Sequence, residues 1–168
     1  MEVSTTKIIL ASGSPRRKEL LSDLGYQFDI IIPNLDESLL PRENPSEHVL
    51  RLSLAKARAI AMEHSDDIII GADTIVVLGD KILGKPASPD EAVSMLKLLS
   101  GKPHIVYTGL TLMILNENII KSDYDATKVV FNDLEESAIE KYVASGEPLD
   151  KAGAYGIQGM GSFLVNHY

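Results

Sequence analysis

The 168-residue sequence contains no cysteine and no tryptophan, and only 5% of its residues are aromatic. Without cysteine, neither a disulfide scaffold nor a thiolate metal site can form. The longest apolar runs, such as residues 109–115, are far too short to span a bilayer, and no secretory signal follows Lys7. The composition therefore predicts a cytoplasmic protein that has no membrane partner.

Basic residues are also scarce: 16 stand against 24 acidic ones, which gives a formal net charge of −8. An acidic chain with few aromatic side chains for base stacking is unsuited to broad binding of DNA or RNA. The glycine-rich dinucleotide fingerprint and the Walker pattern are both missing, so a standard mononucleotide loop is not expected. A polyanion must instead bind where the basic residues are concentrated in one place.

What the chain does contain is an alternation of apolar strand patterns and amphipathic helix patterns. Strands are predicted at residues 7–11, 28–32, 68–70, 75–78, 104–115, 119–131 and 163–165. Helices are predicted at residues 15–24, 44–63, 88–101 and 133–146. Helices interleaved with single strands and one long hairpin predict an α/β fold with a mixed sheet. The length suits one domain over residues 1–168, or one compact body with two lobes.

Local signals add detail to three of these elements. The first helix is expected to face the core with Leu20, Leu21 and Leu24, which recur at helical spacing. The second is expected to open with a capping box at residues 44–47. Residues 79–80, Gly-Asp between two apolar strands, predict a hairpin turn.

The first candidate for chemistry is the segment SGSPRRK at residues 12–18, which joins the first strand to the first helix. Its three cations occupy a first helical turn, where each gives up about 0.3–1 kcal/mol of the stability that an acid would provide. An anion bound by free N–H groups, the Ser12 hydroxyl and the Arg16 and Arg17 guanidinium groups would explain that placement. The alternative is a solvated basic turn in which Arg17 pairs with a nearby carboxylate.

A second candidate is GADT at residues 71–74, which is predicted to lie where one strand ends and the next begins. Asp73, beside small residues, leaves room for a ligand to approach. Its carboxylate could bind Mg²⁺ or take a proton from an attacking water. A turn-forming aspartate bonded to its own backbone is an equally good interpretation of the pattern.

Weaker signals come from isolated polar residues. Lys56, in an otherwise apolar helical stretch, and Lys85, just past a strand, can each neutralise phosphate charge or simply reach the surface. Asp36 and Glu37 can hold a metal or keep their loop in water. In the glycine-rich tail, Gln158 can offer its amide to a base edge, or the tail can be a series of tight turns without a ligand.

Taken together, SGSPRR after the first strand, GADT, the GKP lysine, SGKPHIVYTG and EPLDKAGAYGIQG resemble the Maf family over residues 7–165. The resemblance implies an elongated, mixed twisted sheet flanked by helices, with a deep cleft between two lobes. It also implies metal-assisted hydrolysis of nucleoside triphosphates to the monophosphate and pyrophosphate, with Mg²⁺ or Mn²⁺, in a cytoplasmic protein that is often a homodimer. The family's name comes from an association with septum formation. Its members usually continue past the strand at Phe163 with further elements, so this sequence is short at its C-terminal end.

The resemblance further assigns roles by position. It places the catalytic acid on Asp73 and the metal ligands on Glu37 and Asp73. The substrate-binding positions are Ser12, Arg16, Arg17, Lys56 and Lys85. The positions that mark the substrate class are Arg16, Thr74 and Gln158. These three residues resemble the branch that hydrolyses dTTP and UTP, with modified pyrimidines such as 5-methyl-UTP, rather than the branch that acts on 7-methyl-GTP.

Two other classes of function compete with this hypothesis. The first is a regulator of cell division that binds a triphosphate in the same site without turnover. A poised acid among several cations suits transition-state charge better than tight ground-state binding, which favours an enzyme. The second is a nucleic-acid-binding regulator, which the net charge of −8 and the low aromatic content disfavour.

Overall fold

The computed structural model describes residues 6–168, and its strands form one mixed, seven-stranded sheet. The strands are β1 (Ile8–Ala11), β2 (Asp29–Ile30), β3 (Ile68–Leu78), β4 (Lys81–Leu83), β5 (Pro103–Ile114), β6 (Ile119–Phe131) and β7 (Val165–His167). Their order is β2-β1-β3-β5-β6-β7, with β4 paired to β3. β1 pairs parallel with β2 and β3, whereas β4 and β7 pair antiparallel with their neighbours. The predicted mixed α/β fold is confirmed.

The four helices lie close to the positions predicted for them. They are α1 (Pro15–Asp23), α2 (Pro45–Ala61), α3 (Pro89–Leu99) and α4 (Glu136–Ala144). The capping box at the start of α2 is confirmed, since Asn44 Oδ1 accepts from the Glu47 amide at 2.9 Å and Glu47 Oε2 accepts from the Asn44 amide at 3.1 Å. Within residues 6–168, no helix combines the length and the apolar character that crossing a membrane requires.

The chain divides into two compact units. The first unit comprises Thr108–Tyr124 and the described residues up to Asp73, and the second comprises Thr74–Tyr107 and Asp125–Tyr168. Each has its own apolar core. The core of the first unit contains Ile9, Ala11, Ala57, Ile60, Ala61, Ile69 and Met113. The larger core of the second unit is built mainly from β3, β6, α3, α4 and the tail that follows α4.

Two glycines in the first unit let α2 approach the sheet closely. A Cβ atom on Gly71 would stand 2.2 Å from the carbonyl oxygen of Ser53, and one on Gly109 would stand 2.2 Å from that of Val49. No side chain fits at either position, so the helix backbone packs directly on the strands. Because residues two apart in a strand face the same side of a sheet, Asp73 faces the side on which α2 packs against Gly71.

In the second unit, His104 anchors the glycine-rich tail. Its Nε2 atom lies 2.7 Å from the Tyr155 hydroxyl, and its ring meets Phe131 edge-on at a centroid distance of 4.8 Å. Burial lowers the pKa of His104 and raises the pKa of Tyr155, so both side chains are held neutral. Gly153, at a φ of 66°, packs its Cα against Val76, where a Cβ atom would stand 2.7 Å from a methyl group.

The hairpin turn predicted at residues 79–80 is confirmed, but the prediction that GADT separates two strands is wrong. β3 runs without interruption from Ile68 to Leu78, so Asp73 lies in the middle of an extended strand. Gly71 is a turn former by type, yet here it serves the close approach of α2. An aspartate bonded to its own backbone in a turn is therefore also excluded.

Two further local predictions are wrong. The leucine stripe of α1 does not face a core: Leu20 is 47% exposed and Leu24 is 72% exposed, and every residue of the helix is at least partly accessible. Arg17, in the first turn of α1, hydrogen-bonds to Ser12 and to the Ala72 carbonyl. At the other end of the chain, Phe163 belongs to a 3₁₀ segment, and the last strand begins only at Val165.

Candidate functional site

A buried ion pair between α2 and β3 forms the centre of the site. Lys56 Nζ donates to Asp73 Oδ1 at 2.7 Å and lies 3.1 Å from Glu37 Oε1. The side chains of Lys56 and Asp73 are 9% and 7% exposed, whereas that of Glu37 is half exposed. The alternative that Lys56 is a surface-reaching lysine is therefore wrong. One buried ammonium group instead bridges two carboxylates.

The second oxygen of Asp73 is the unusual atom of this group. Oδ2 is buried and has no hydrogen-bond partner among residues 6–168. Buried carboxylate oxygens are nearly always hydrogen-bonded in native proteins, because leaving one unsatisfied is unfavourable. A bound water, ion or ligand would supply the partner that this oxygen lacks within residues 6–168.

The phosphate-binding segment predicted from the sequence is hydrogen-bonded to the β3 backbone next to this pair. Arg17 Nη1 donates to Ser12 Oγ at 3.0 Å and to the backbone carbonyl of Ala72 at 2.8 Å, one residue before Asp73. Burial lowers the pKa of Arg17, an effect that the nearby Asp73 and Glu37 carboxylates oppose. Arginine stays protonated in such surroundings. The site therefore has one buried cation, Lys56, and one partly buried cation, Arg17, beside the buried Asp73 carboxylate.

The remaining predicted site residues differ from this group in their exposure and in their contacts. Arg16 is 39% exposed in its side chain and pairs with Glu19 of the same helix at 3.3 Å. Thr74 is partly buried, and Lys85 and Gln158 are exposed. These last three belong to the second unit. The structure thus brings together five of the predicted residues, which are Ser12, Arg17, Glu37, Lys56 and Asp73.

Three residues that the sequence did not single out extend the site. Arg51 Nη2 donates to Glu43 Oε2 at 2.8 Å and to the Ser38 carbonyl at 3.0 Å, which ties the loop that carries Glu37 to α2. His48 Nδ1 lies 2.9 Å from the same Glu43 oxygen. The hydrogen bond from Arg51 lowers the pKa of Glu43 to about 2, so this carboxylate is ionised at neutral pH. The contact with Glu43 orients the His48 ring, and its other nitrogen, Nε2, lies 3.9 Å from Asp73 Oδ2.

Helical spacing could have identified His48. The buried residues of α2 include His48, Leu52, Lys56 and Ile60, which recur at every fourth position. A polar residue two turns before Lys56 on that stripe lies on the same face as the lysine. Glu43 and Arg51 carried no comparable signal, since a loop acid and a helical arginine are usually solvated.

The donor set suits a hard divalent cation. Within the described residues, no three His, Cys, Asp or Glu side chains converge as a metal cluster. The site does offer two carboxylates, Glu37 and Asp73, and an unsatisfied oxygen on the latter. Mg²⁺ is commonly held by one or two carboxylates, with substrate phosphates as further ligands. The residues present therefore fit such an ion.

A solved structure shows the class of fold. The HAM1 protein from Coxiella burnetii is similar over 95% of this chain and 92% of its own, with a TM-score of 0.53 and 17% sequence identity. At that identity the likeness concerns the fold alone. The chain thus has the mixed α/β architecture of HAM1-like proteins, with a buried carboxylate–ammonium pair on β3 and α2.

The family follows from closer relatives. The family model described as Maf-like protein matches residues 7–168. The dTTP/UTP pyrophosphatases of Bacillus cereus strain AH820 and Bacillus anthracis are each 52% identical over 161 residues, 96% of this chain and 83% of the relative. That of Bacillus cereus strain ATCC 10987 is 51% identical over the same length, 78% of its own chain. This chain belongs to the Maf family.

Proposed function

We infer that this protein is a nucleoside triphosphate pyrophosphatase that hydrolyses dTTP and UTP to the monophosphate and pyrophosphate. The names of relatives that are 52% identical over 96% of the chain support the substrates. The observation that carries the chemistry is the buried Asp73 carboxylate, with one oxygen bonded to Lys56 and the other without a hydrogen-bond partner in residues 6–168.

In this proposal the cations bind the phosphates and Asp73 acts on the water. Lys56 is buried, Arg17 is partly buried, and both are fixed by hydrogen bonds, so they can stabilise the charge that develops on the phosphates without reorganising. Asp73 Oδ2 accepts the proton of the water that attacks the α-phosphorus. Further phosphate-binding groups proposed from the family resemblance are Ser12, Arg16 and Lys85.

The proposal includes a divalent cation, Mg²⁺ or Mn²⁺, with Glu37 and Asp73 as its protein ligands. When bound, such an ion supplies Lewis-acid stabilisation of phosphate charge. Glu37 is suited to this role because it is half exposed and within reach of Lys56, on a loop that Arg51 fastens to α2. Its carboxylate can therefore exchange partners while the loop stays in place.

The selection of pyrimidine bases is proposed to depend on Arg16, Thr74 and Gln158. The support is the resemblance of these three positions to the dTTP/UTP branch, together with the names of the relatives. Gln158 is exposed, so its amide is free to offer a donor and an acceptor to a base edge. Arg16, paired only with Glu19 among the described residues, is held weakly and can be redirected to a ligand.

The test is a product assay over dTTP, UTP, CTP, GTP and 7-methyl-GTP in the presence of Mg²⁺. Monophosphate and pyrophosphate are quantified separately. We expect dTTP and UTP to be converted at least about tenfold faster than GTP or 7-methyl-GTP, because the base edges differ in their hydrogen-bonding groups. Binding of triphosphates without turnover would instead identify a regulator, and release of orthophosphate would show a different bond to be cleaved.

A further inference from the structure

Two polar atoms face each other at the centre of the site without bonding. Asp73 Oδ2 is buried, has no hydrogen-bond partner within residues 6–168, and lies 3.9 Å from His48 Nε2. Hydrogen bonds of this type span about 2.7–3.2 Å, so the ring and the carboxylate do not bond directly. Both side chains are almost fully buried, at 4% and 7% exposed. Their separation is therefore fixed by the packing around them.

The hydrogen-bond network defines which hydrogens the His48 ring carries. Its Nδ1 lies 2.9 Å from Glu43 Oε2. The arginine partner of Glu43 lowers its pKa to about 2, so the carboxylate is ionised and can only accept. Arg51 Nη2 also lies 3.3 Å from Nδ1, but its shorter bond of 2.8 Å goes to Glu43. Nδ1 therefore carries a hydrogen, and in this tautomer Nε2 is an acceptor.

Two acceptors 3.9 Å apart suit a water molecule between them. A water oxygen about 2.8 Å from each would subtend an angle of about 90°, close to the angle between its two O–H bonds. A magnesium ion at about 2.0–2.1 Å from each ligand would require a separation of about 2.8–3.0 Å for adjacent octahedral positions, or about 4.0–4.2 Å for opposite ones. Because Mg²⁺ takes oxygen ligands and one of these two atoms is an imidazole nitrogen, a water suits the pair better than that ion.

We propose that His48 is a catalytic residue of the reaction inferred above, and that its Nε2 atom and Asp73 Oδ2 together hold the attacking water by accepting its two hydrogens. Held in this way, the water keeps its lone pairs directed away from both acceptors, which is the orientation that attack on phosphorus requires. This proposal rests on the proposed function. It adds a second group to the water site that the family resemblance assigned to Asp73 alone.

The reaction balances with these two acceptors. The water oxygen bonds to the α-phosphorus while the bond from that phosphorus to the oxygen bridging to the β-phosphorus breaks. The electron pair of the broken bond leaves with pyrophosphate. One water proton passes to Asp73 Oδ2, and the other hydrogen stays on the transferred oxygen, hydrogen-bonded to His48 until the monophosphate ionises and leaves.

A matched pair of substitutions distinguishes the role of Nε2 from that of Nδ1 in the His48 ring. Asparagine can place an N–H near the position of Nδ1 and keep the bond to Glu43, but it has no atom at the position of Nε2. Glutamine reaches the position of Nε2 with an amide oxygen. We expect His48→Asn to lower kcat for dTTP about five- to twentyfold with KM within about twofold, and His48→Gln to keep kcat within about threefold of wild type. His64→Asn, the same change at a partly exposed histidine paired with Asp67, serves as control.

Binding of a non-hydrolysable dTTP analogue with an α,β-methylene bridge, measured by calorimetry, gives a readout that does not depend on turnover. We expect the same Kd for wild type and His48→Asn, because the proposed role concerns only the water. A folded His48→Asn protein with wild-type kcat would overturn the role of His48. Equal losses in both variants with weakened analogue binding would also overturn it, since they would show a packing role. An inactive wild-type protein would refute the proposed function itself.

Discussion

Replacement of Asp73 by asparagine is expected to lower kcat for dTTP by about 10³-fold while leaving KM within about threefold. The substitution keeps the size of the side chain and an oxygen that can accept from Lys56, but it removes the charge and the proton-accepting oxygen. Steady-state kinetics with separate measurement of dTMP and pyrophosphate gives both parameters. Because the proposed loss concerns the chemical step, substrate binding should be largely preserved.

The control for this prediction is Asp80→Asn, which makes the same change at an exposed aspartate in the turn between β3 and β4. We expect its kcat to remain within about twofold of wild type, since exposed charges away from a site have small effects. Circular dichroism of both variants checks that they fold. Turnover near the wild-type rate in folded Asp73→Asn would remove Asp73 from its proposed role.

The second large effect is expected from Lys56→Met, in both stability and activity. Methionine fills similar volume but leaves Asp73 buried without its counter-charge, and breaking a buried ion pair in this way costs about 3–5 kcal/mol. We expect the free energy of unfolding, measured with urea, to fall by that amount. We also expect kcat/KM for dTTP to fall at least about 100-fold, because one of the two cations proposed to bind the phosphates is lost.

Two comparisons make this result specific to the buried pair. Lys97→Met removes the partner of Glu136 in an ion pair whose side chains are 47% and 65% exposed, and its cost is expected to be about 0–1 kcal/mol. The double variant with Lys56→Met and Asp73→Asn is expected to be more stable than Lys56→Met alone, because the unpaired charge is gone. Equal stability losses for Lys56→Met and Lys97→Met would contradict the account.

Much of the fold follows from local patterns in the sequence. The capping box of α2, the turn at Gly79 and the two long strands β5 and β6 are all fixed by neighbours in the chain, so their signals can be seen there. The failures come from long-range packing. Gly71 and Asp73 look like turn formers, but Gly71 is required by a helix backbone 2.2 Å from where its side chain would begin.

In the site, too, some residues could be predicted from local patterns and others depend on long-range packing. Residue types and motifs pointed to Ser12, Arg17, Lys56 and Asp73, which the structure brings together at hydrogen-bond distances. Helical spacing places His48 on the same face of α2 as Lys56, but its contact with Asp73 depends on the packing of α2 on β3, which no local pattern shows. Arg51 was missed because its role depends on a loop carbonyl that folding brings to it.

The most direct test of the central claim is to hydrolyse dTTP in ¹⁸O-labelled water and to locate the label by mass spectrometry. Attack of a water held by Asp73 on the α-phosphorus places the ¹⁸O in dTMP, with unlabelled pyrophosphate. Label in pyrophosphate would show that the water attacks the β-phosphorus. That result would contradict the assignment of Asp73 to the α-phosphate, whatever the effects of the substitutions.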